Sequence, residues 1–74
     1  MHQPAVEFVT KQLLADIRSK LEEAASISVA ADQFADLGNV QRAVRTLIDF
    51  EDLAYQAQEL FKAALLINRI SKHD

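Results

Sequence analysis

The sequence predicts an all-α fold, an antiparallel two-helix hairpin formed by a single domain over residues 1–74, and three observations support this. The chain has one glycine, Gly38, just past its midpoint and followed by Asn39. Apolar residues recur every three or four positions on both sides of this pair, which is the spacing of one helical face. Opposite charges face one another when the chain is folded back at Gly38. Two long helices joined by so short a turn must pack antiparallel.

Helix 1 is predicted over about residues 4–37. Pro4 suits the first turn of a helix, where its missing N–H leaves no bond unmade. The serines and β-branched residues of 26–29 could kink or end the helix, so a three-helix variant stays open. Because the apolar stripe runs through this segment, we expect one continuous helix. The stripe consists of Val6, Val9, Leu13, Ile17, Leu21, Ala24, Ile27, Ala31 and Phe34.

The turn is predicted at residues 38–39 and helix 2 at about 40–71. Gly38 can adopt the left-handed conformation that closes a helix, and Asn39 can cap the next one. The apolar stripe of helix 2 is predicted to contain Ala43, Leu47, Phe50, Ala54, Ala57, Phe61 and Ala64, with Asn68 at its end.

The charges predict a register for the hairpin. If the chain reverses near Gly38, facing residues have numbers that add to about 77, and this register gives opposite-charge pairs without a like-charge pair. Exposed ion pairs contribute only about 0.2–1 kcal/mol each, so they set register more than stability. The predicted pairs are Asp32 with Arg45, Arg18 with Glu59, Asp16 with Lys62, Asp36 with Arg42, and Glu7 with Arg69.

The chain has more apolar residues than one hairpin can hide. A domain of this size buries only about 60% of its unfolded surface, and without cysteine no disulfide can supplement the core. Half of the residues are apolar, and helix 2 carries a second apolar stripe beside the first. We therefore expect two hairpins to form a homodimeric four-helix bundle. The predicted interface stripe is Ile48, Leu53, Tyr55, Leu60, Ile67 and Ile70.

Two polar residues, Glu51 and Gln58, interrupt an otherwise apolar line on helix 2, and we include both in the predicted dimer interface. The line consists of Leu47, Ala54, Phe61 and Leu65. Glu51 and Gln58 admit two interpretations. Their side chains could extend from the edge of the core into water. Alternatively, they could be polar residues at the dimer contact that fix its register at some cost in stability.

Acidic residues form a band halfway along the hairpin, at Glu22, Glu23, Asp49 and Asp52. Such a cluster can be an ordinary solvated face. The functional alternative is a docking patch for a basic protein partner, which charge complementarity would attract.

A nucleic-acid alternative remains open at the turn. The segment 34–38, followed by Arg42, Val44 and Arg45, resembles a DNA-binding helix-turn-helix. The resemblance implies that Arg42 and Arg45 open a recognition helix, and it requires helix 1 to break near Ser28. The net charge of −3 disfavours phosphate backbones as partners.

Other function classes find little support in the residues. The chain has no cysteine and neither histidine belongs to a Glu-x-x-His motif, so we expect no enzyme, metal or cofactor. No apolar run approaches the roughly 18 to 20 residues of a membrane span, and the first residues lack the features of a secretory signal. We expect a cytoplasmic protein-binding or regulatory module that pairs with itself, with a helical or basic protein as a second candidate partner.

Overall fold

A computed structural model describes residues 4–72 as an antiparallel helical hairpin, which confirms the predicted all-α class. One arm is α1 (Pro4–Asp36), and the second arm consists of α2 (Val40–Thr46) and α3 (Ile48–Lys72). No strand occurs within these residues. The hairpin measures 56 × 14 × 12 Å, which makes it a rod.

Helix α1 runs through its serine-containing segment without a break. The Ser26 hydroxyl donates to the Glu22 carbonyl at 3.2 Å, and the Ser28 hydroxyl donates to the Ala25 carbonyl at 2.9 Å. Both serines therefore bond to carbonyls of their own helix instead of diverting the backbone. The expected continuity of helix 1 is confirmed.

The turn is a Schellman motif closed by Gly38, whose φ is +83°. The Gly38 N–H donates to the Ala35 carbonyl and the Asn39 N–H to the Phe34 carbonyl, each at 2.9 Å, which satisfies the last carbonyls of α1. The Asn39 side-chain oxygen then accepts from the Arg42 N–H at 3.1 Å and caps α2. Both roles predicted for this pair are confirmed.

The second arm has a one-residue interruption at Leu47 that the continuous helix predicted for 40–71 lacks. The ψ of Leu47 is −9°, against about −42° in an α-helix. Its N–H donates to the Val44 carbonyl three residues back. The Thr46 hydroxyl donates to the Arg42 carbonyl at 2.8 Å, and such back-bonding by threonine bends helices.

The core of the hairpin is thin, because four of its five buried residues are alanines. They are Ala24 and Ala31 on α1, Ala43 on α2, and Leu53 and Ala57 on α3. Half-buried positions extend this core in a seven-residue repeat along both arms. The buried pair Ala24 and Leu53 obeys the register in which facing numbers add to 77, and so do half-buried Ile17 and Leu60. Burial therefore agrees with the predicted register.

The predicted stripe of the second arm is confirmed at Ala43, Ala57 and Ala64, which are buried or half-buried, whereas Phe50 is 42% exposed. Its other line, through Leu47 and Phe61, is replaced in the core by the line one residue earlier. Phe61, expected inside, is 54% exposed, whereas Leu53 is 8% exposed. Leu60 and Ile67, seven and fourteen residues after Leu53, are half-buried. Both lines repeat every seven residues, so spacing alone cannot choose between them. On α1, Leu21 is likewise exposed and Lys20 is half-buried, as a long aliphatic stem allows.

The ion pairs form along helices instead of across the hairpin. Arg18 pairs with Glu22 at 3.4 Å, and Lys62 pairs with Glu59 at 3.0 Å. Side chains three or four residues apart are already neighbours on a helix, so these pairs order less chain. Within residues 4–72 this corrects four predictions. The pairs that do not form are Arg18 with Glu59, Asp16 with Lys62, Asp36 with Arg42, and Asp32 with Arg45.

Candidate interaction surfaces

Two clefts show which residues border the core on each side of the hairpin. Near the turn, a groove of about 390 Å³ is lined by Ser28, Ala31, Asp32, Ala35, Val40, Ala43, Val44 and Leu47. At the open end, a cleft of about 280 Å³ is lined by Ala5, Val6, Val9, Ile67, Ile70 and Ser71. In α1, Ser28 lies four residues after buried Ala24, which places Ser28 on one side of the core line. Val9 lies one residue before half-buried Thr10, which places Val9 on the other side of that line. The two clefts therefore open on opposite long faces.

The face that contains the groove is mainly apolar along its length. Residues seven positions apart share a face in a pair of supercoiled helices, so the groove residues identify their neighbours further along. Six large apolar side chains on this face are between 41% and 63% exposed, while Ala54 and Leu65 are half-buried. We call this surface the apolar face. Its apolar residues are Leu14, Leu21, Val40, Val44, Leu47, Ala54, Phe61 and Leu65, and the polar residues Lys11, Ser28, Asp32, Glu51 and Gln58 lie among them on the same face.

The opposite long face is polar between its ends. The Gln56 amide donates to the Asp52 carboxylate at 2.9 Å, and the Arg42 guanidinium lies 4.5 Å from the centre of the Phe34 ring. Carboxylates outnumber cations on this surface, which we call the polar face. It consists of Gln12, Asp16, Ser19, Glu23, Gln33, Arg42, Arg45, Asp49, Asp52, Gln56 and Glu59.

The structure separates the eight residues predicted for the dimer interface. Leu53, Leu60 and Ile67 belong to the core of the hairpin, which corrects their assignment to an exposed stripe. Ile48 and Tyr55 are exposed on the outer side of the second arm, and Ile70 borders the cleft at the open end. Glu51 and Gln58 lie in line with the apolar face, seven and fourteen residues after Val44.

The sequence predicts part of the apolar face as core of the hairpin and does not predict that the whole face is exposed. Leu47, Ala54 and Phe61 were expected inside, Leu14 was not singled out, and Val40 was treated only as the start of a helix. The available signal was the seven-residue repeat that links Val40, Leu47, Ala54 and Phe61. This repeat identifies the exposed line only once the line through Leu53 is known to be buried.

The predicted acidic patch is only partly assembled. Glu23, Asp49 and Asp52 share the polar face, and all three are exposed. Glu22 lies on the outer side of α1 and forms its ion pair with Arg18. Three of the four predicted residues therefore remain candidates for one patch.

Arg42 and Arg45 lie close together at the turn end of the polar face. Arg42 stacks on Phe34, which belongs to the other arm. The helix-turn-helix interpretation requires a break near Ser28, and α1 has none there. The two arms also pack antiparallel, so the steeply crossed pair of helices that a helix-turn-helix requires is absent from residues 4–72.

The described residues offer few alternatives to surface interactions. Between residues 4 and 72 there is no cluster of three or more His, Asp or Glu that could hold a metal ion, and His2 and His73 lie outside this range. Within the same range, no helix has an apolar stretch long enough to cross a lipid bilayer. Comparison of the chain with protein-family models, curated proteins and solved structures found no match.

Proposed function

We propose that this chain is a small non-enzymatic protein-binding or regulatory module that acts as a homodimeric four-helix bundle in the cytoplasm. The observation that carries the proposal is the apolar face, which the hairpin leaves open to solvent. A second hairpin would cover it and complete the core.

The dimensions of the hairpin support the need for a second copy. A folded monomer of this mass is expected to expose about 4,600 Å², whereas this chain exposes 5761 Å². Its radius of gyration is 17.0 Å, against about 11 Å for a compact domain of 74 residues. The core consists mostly of alanine, so it supplies little of the roughly 1.5–3 kcal/mol that each buried large apolar side chain contributes.

The size of the apolar face supports the same conclusion. Soluble monomers rarely expose contiguous apolar patches larger than a few hundred Å². The whole long face of the hairpin, polar residues included, measures 56 by 14 Å, or roughly 800 Å², which is the area that each partner contributes to a standard protein interface. A second copy is the partner that is available wherever the protein itself is present.

A dimer formed through the apolar face would leave the polar face of each hairpin accessible. Glu23, Asp49 and Asp52 on that face have the charge to attract a basic protein. We propose this as the regulatory surface, with the apolar face reserved for self-association.

Light scattering during size-exclusion chromatography, with absorbance at 260 and 280 nm, tests this function. We expect twice the chain mass of 8.3 kDa and an absorbance ratio that nuclease treatment does not change. A monodisperse monomer would contradict the bundle. A nuclease-sensitive absorbance ratio would instead favour the helix-turn-helix alternative through Arg42 and Arg45.

A further inference from the structure

Between Val44 and Leu65, the apolar line of the second arm has nearly the same pattern in both directions from Ala54. Glu51 and Gln58 are the nearest positions on either side, at three and four residues. Leu47 and Phe61 follow at seven residues in each direction. Beyond them Val44 and Leu65 lie at ten and eleven residues. The order is therefore apolar, apolar, polar, alanine, polar, apolar, apolar. A two-fold interface requires such self-complementarity, because each residue must fit its counterpart in the other copy.

We propose that two copies pair their apolar faces in antiparallel orientation, about a two-fold axis that passes beside Ala54. This inference rests on the proposed homodimer and adds its geometry. The axis sets Leu47 of each copy against Phe61 of the other, so that large apolar side chains meet. Ala54 meets its own counterpart, and its small side chain lets the two helices approach closely.

The same axis gives the two polar residues of the line a partner. Glu51 of each copy lies opposite Gln58 of the other, and its carboxylate can accept a hydrogen bond from the Gln58 amide. A polar group at a helical interface is tolerated when it is hydrogen-bonded, and it then discriminates against other registers. This arrangement explains why two polar side chains interrupt the apolar face at symmetric positions.

Helix α1 supports the same orientation through its charges. Ser28 and Leu47 line the same groove on neighbouring arms. Leu21 lies seven residues before Ser28 and Ala54 lies seven residues after Leu47, so Leu21 and Ala54 are also neighbours and the axis passes both. Antiparallel pairing about Leu21 then brings Lys11 of one copy close to Asp32 of the other, which are opposite charges. A parallel pairing would set these two charges against Leu65 and Val44, where their desolvation is costly.

Single cysteines test the axis directly, because the natural chain has none. In the antiparallel dimer, Ala54→Cys should crosslink to its own counterpart in the other copy with a short bismaleimide. The reaction should be about tenfold or more faster than that of the outer-side control Tyr55→Cys, because the dimer holds the two introduced thiols at high effective concentration. Leu47→Cys and Phe61→Cys should crosslink when mixed and not separately. Circular dichroism of each variant checks that it remains helical.

The possible outcomes separate this geometry from the dimer itself. A dimer in which Ala54→Cys crosslinks only when mixed with Leu21→Cys would overturn the antiparallel axis and leave the homodimer intact. Absence of the mixed Leu47→Cys and Phe61→Cys product, in a chain that is dimeric by mass, would also overturn it. A monomeric natural chain would instead remove the proposed function and this inference together.

Discussion

The two long faces of the hairpin border the same alanine-rich core, yet they differ in chemistry. The apolar face presents large side chains such as Phe61 and Leu14 to solvent, whereas the polar face presents carboxylates such as Glu23 and Asp49. A hairpin that functioned as a monomer would be expected to expose similar side chains on both long faces. The proposed homodimer would account for this difference, because the second copy would cover the apolar face and leave the polar face in water.

The largest effect is expected when the apolar face receives a charge. Phe61→Glu should weaken dimerisation by about 3 kcal/mol or more, over one hundredfold, since truncation of a buried Phe alone costs about 3–5 kcal/mol and the two-fold axis repeats the change. Sedimentation velocity over a concentration series measures the dissociation constant. Tyr55→Glu is the matched control, because Tyr55 is similarly exposed but lies on the outer side. Equal behaviour of the two variants would contradict the distinction between these surfaces.

A change at the turn should destabilise the hairpin and leave the difference between its faces intact. Gly38→Ala meets no atom within 4 Å, so its cost is the strain of a positive φ, about 1–2 kcal/mol. Thermal unfolding followed by circular dichroism should show Tm lowered by about 4–16 °C for a chain of this size. Gly38→Asn should lose less, since asparagine tolerates this conformation better. An unchanged Tm in Gly38→Ala would show that the turn is not as described.

Removal of both polar groups from the apolar line should have a smaller effect of opposite sign. Glu51→Leu combined with Gln58→Leu should raise the free energy of unfolding by about 1 kcal/mol while relaxing the choice of oligomeric state, since a polar pair at a helical contact fixes register at a cost and the double change leaves neither group unpaired. Chemical denaturation and light scattering measure the two quantities. If both quantities stay unchanged, Glu51 and Gln58 only extend from the edge of the interface into water.

The smallest effect on stability is expected on the polar face. Asp49→Ala combined with Asp52→Ala should change stability by less than about 0.5 kcal/mol, as usual for exposed sites, and should leave the dimer mass unchanged. The double variant should lose salt-sensitive binding to a lysine-rich peptide, measured by fluorescence anisotropy. Glu22→Ala combined with Asp36→Ala removes the same charge from the outer side of α1 and should retain binding. Loss of the dimer in the first variant would contradict the division of roles between the faces.

Local chemistry made much of the fold predictable. Gly38 and Asn39 have conformational and capping preferences that act within a few residues, so the turn and the α2 cap followed from the sequence. The interruption at Leu47 did not, because no glycine or proline marks it; the Thr46 hydroxyl beside it bonds to the Arg42 carbonyl. Threonine makes this bond in some helices and faces solvent in others.

The candidate surface was predictable only in part, for a geometric reason. The lines through Leu53 and through Ala54 both repeat every seven residues, and packing against α1 decides which one is buried. The structure buries Leu53, which moves the line through Ala54 to the exterior. The sequence places Glu51 and Gln58 in one line with Ala54 and predicts both as interface residues, but the exposure of that line required the structure.

The central claim is that the hairpin is half of a folded unit, and the dependence of thermal unfolding on chain concentration tests it most directly. Because dimerisation stabilises only the folded state, Tm should rise with concentration by mass action. Circular dichroism melts over a hundredfold concentration range provide the measurement. The account predicts a steady rise in Tm in the natural chain and none in a monomeric Phe61→Glu variant. A constant Tm in the natural chain, with full helicity at the lowest concentration, would contradict it.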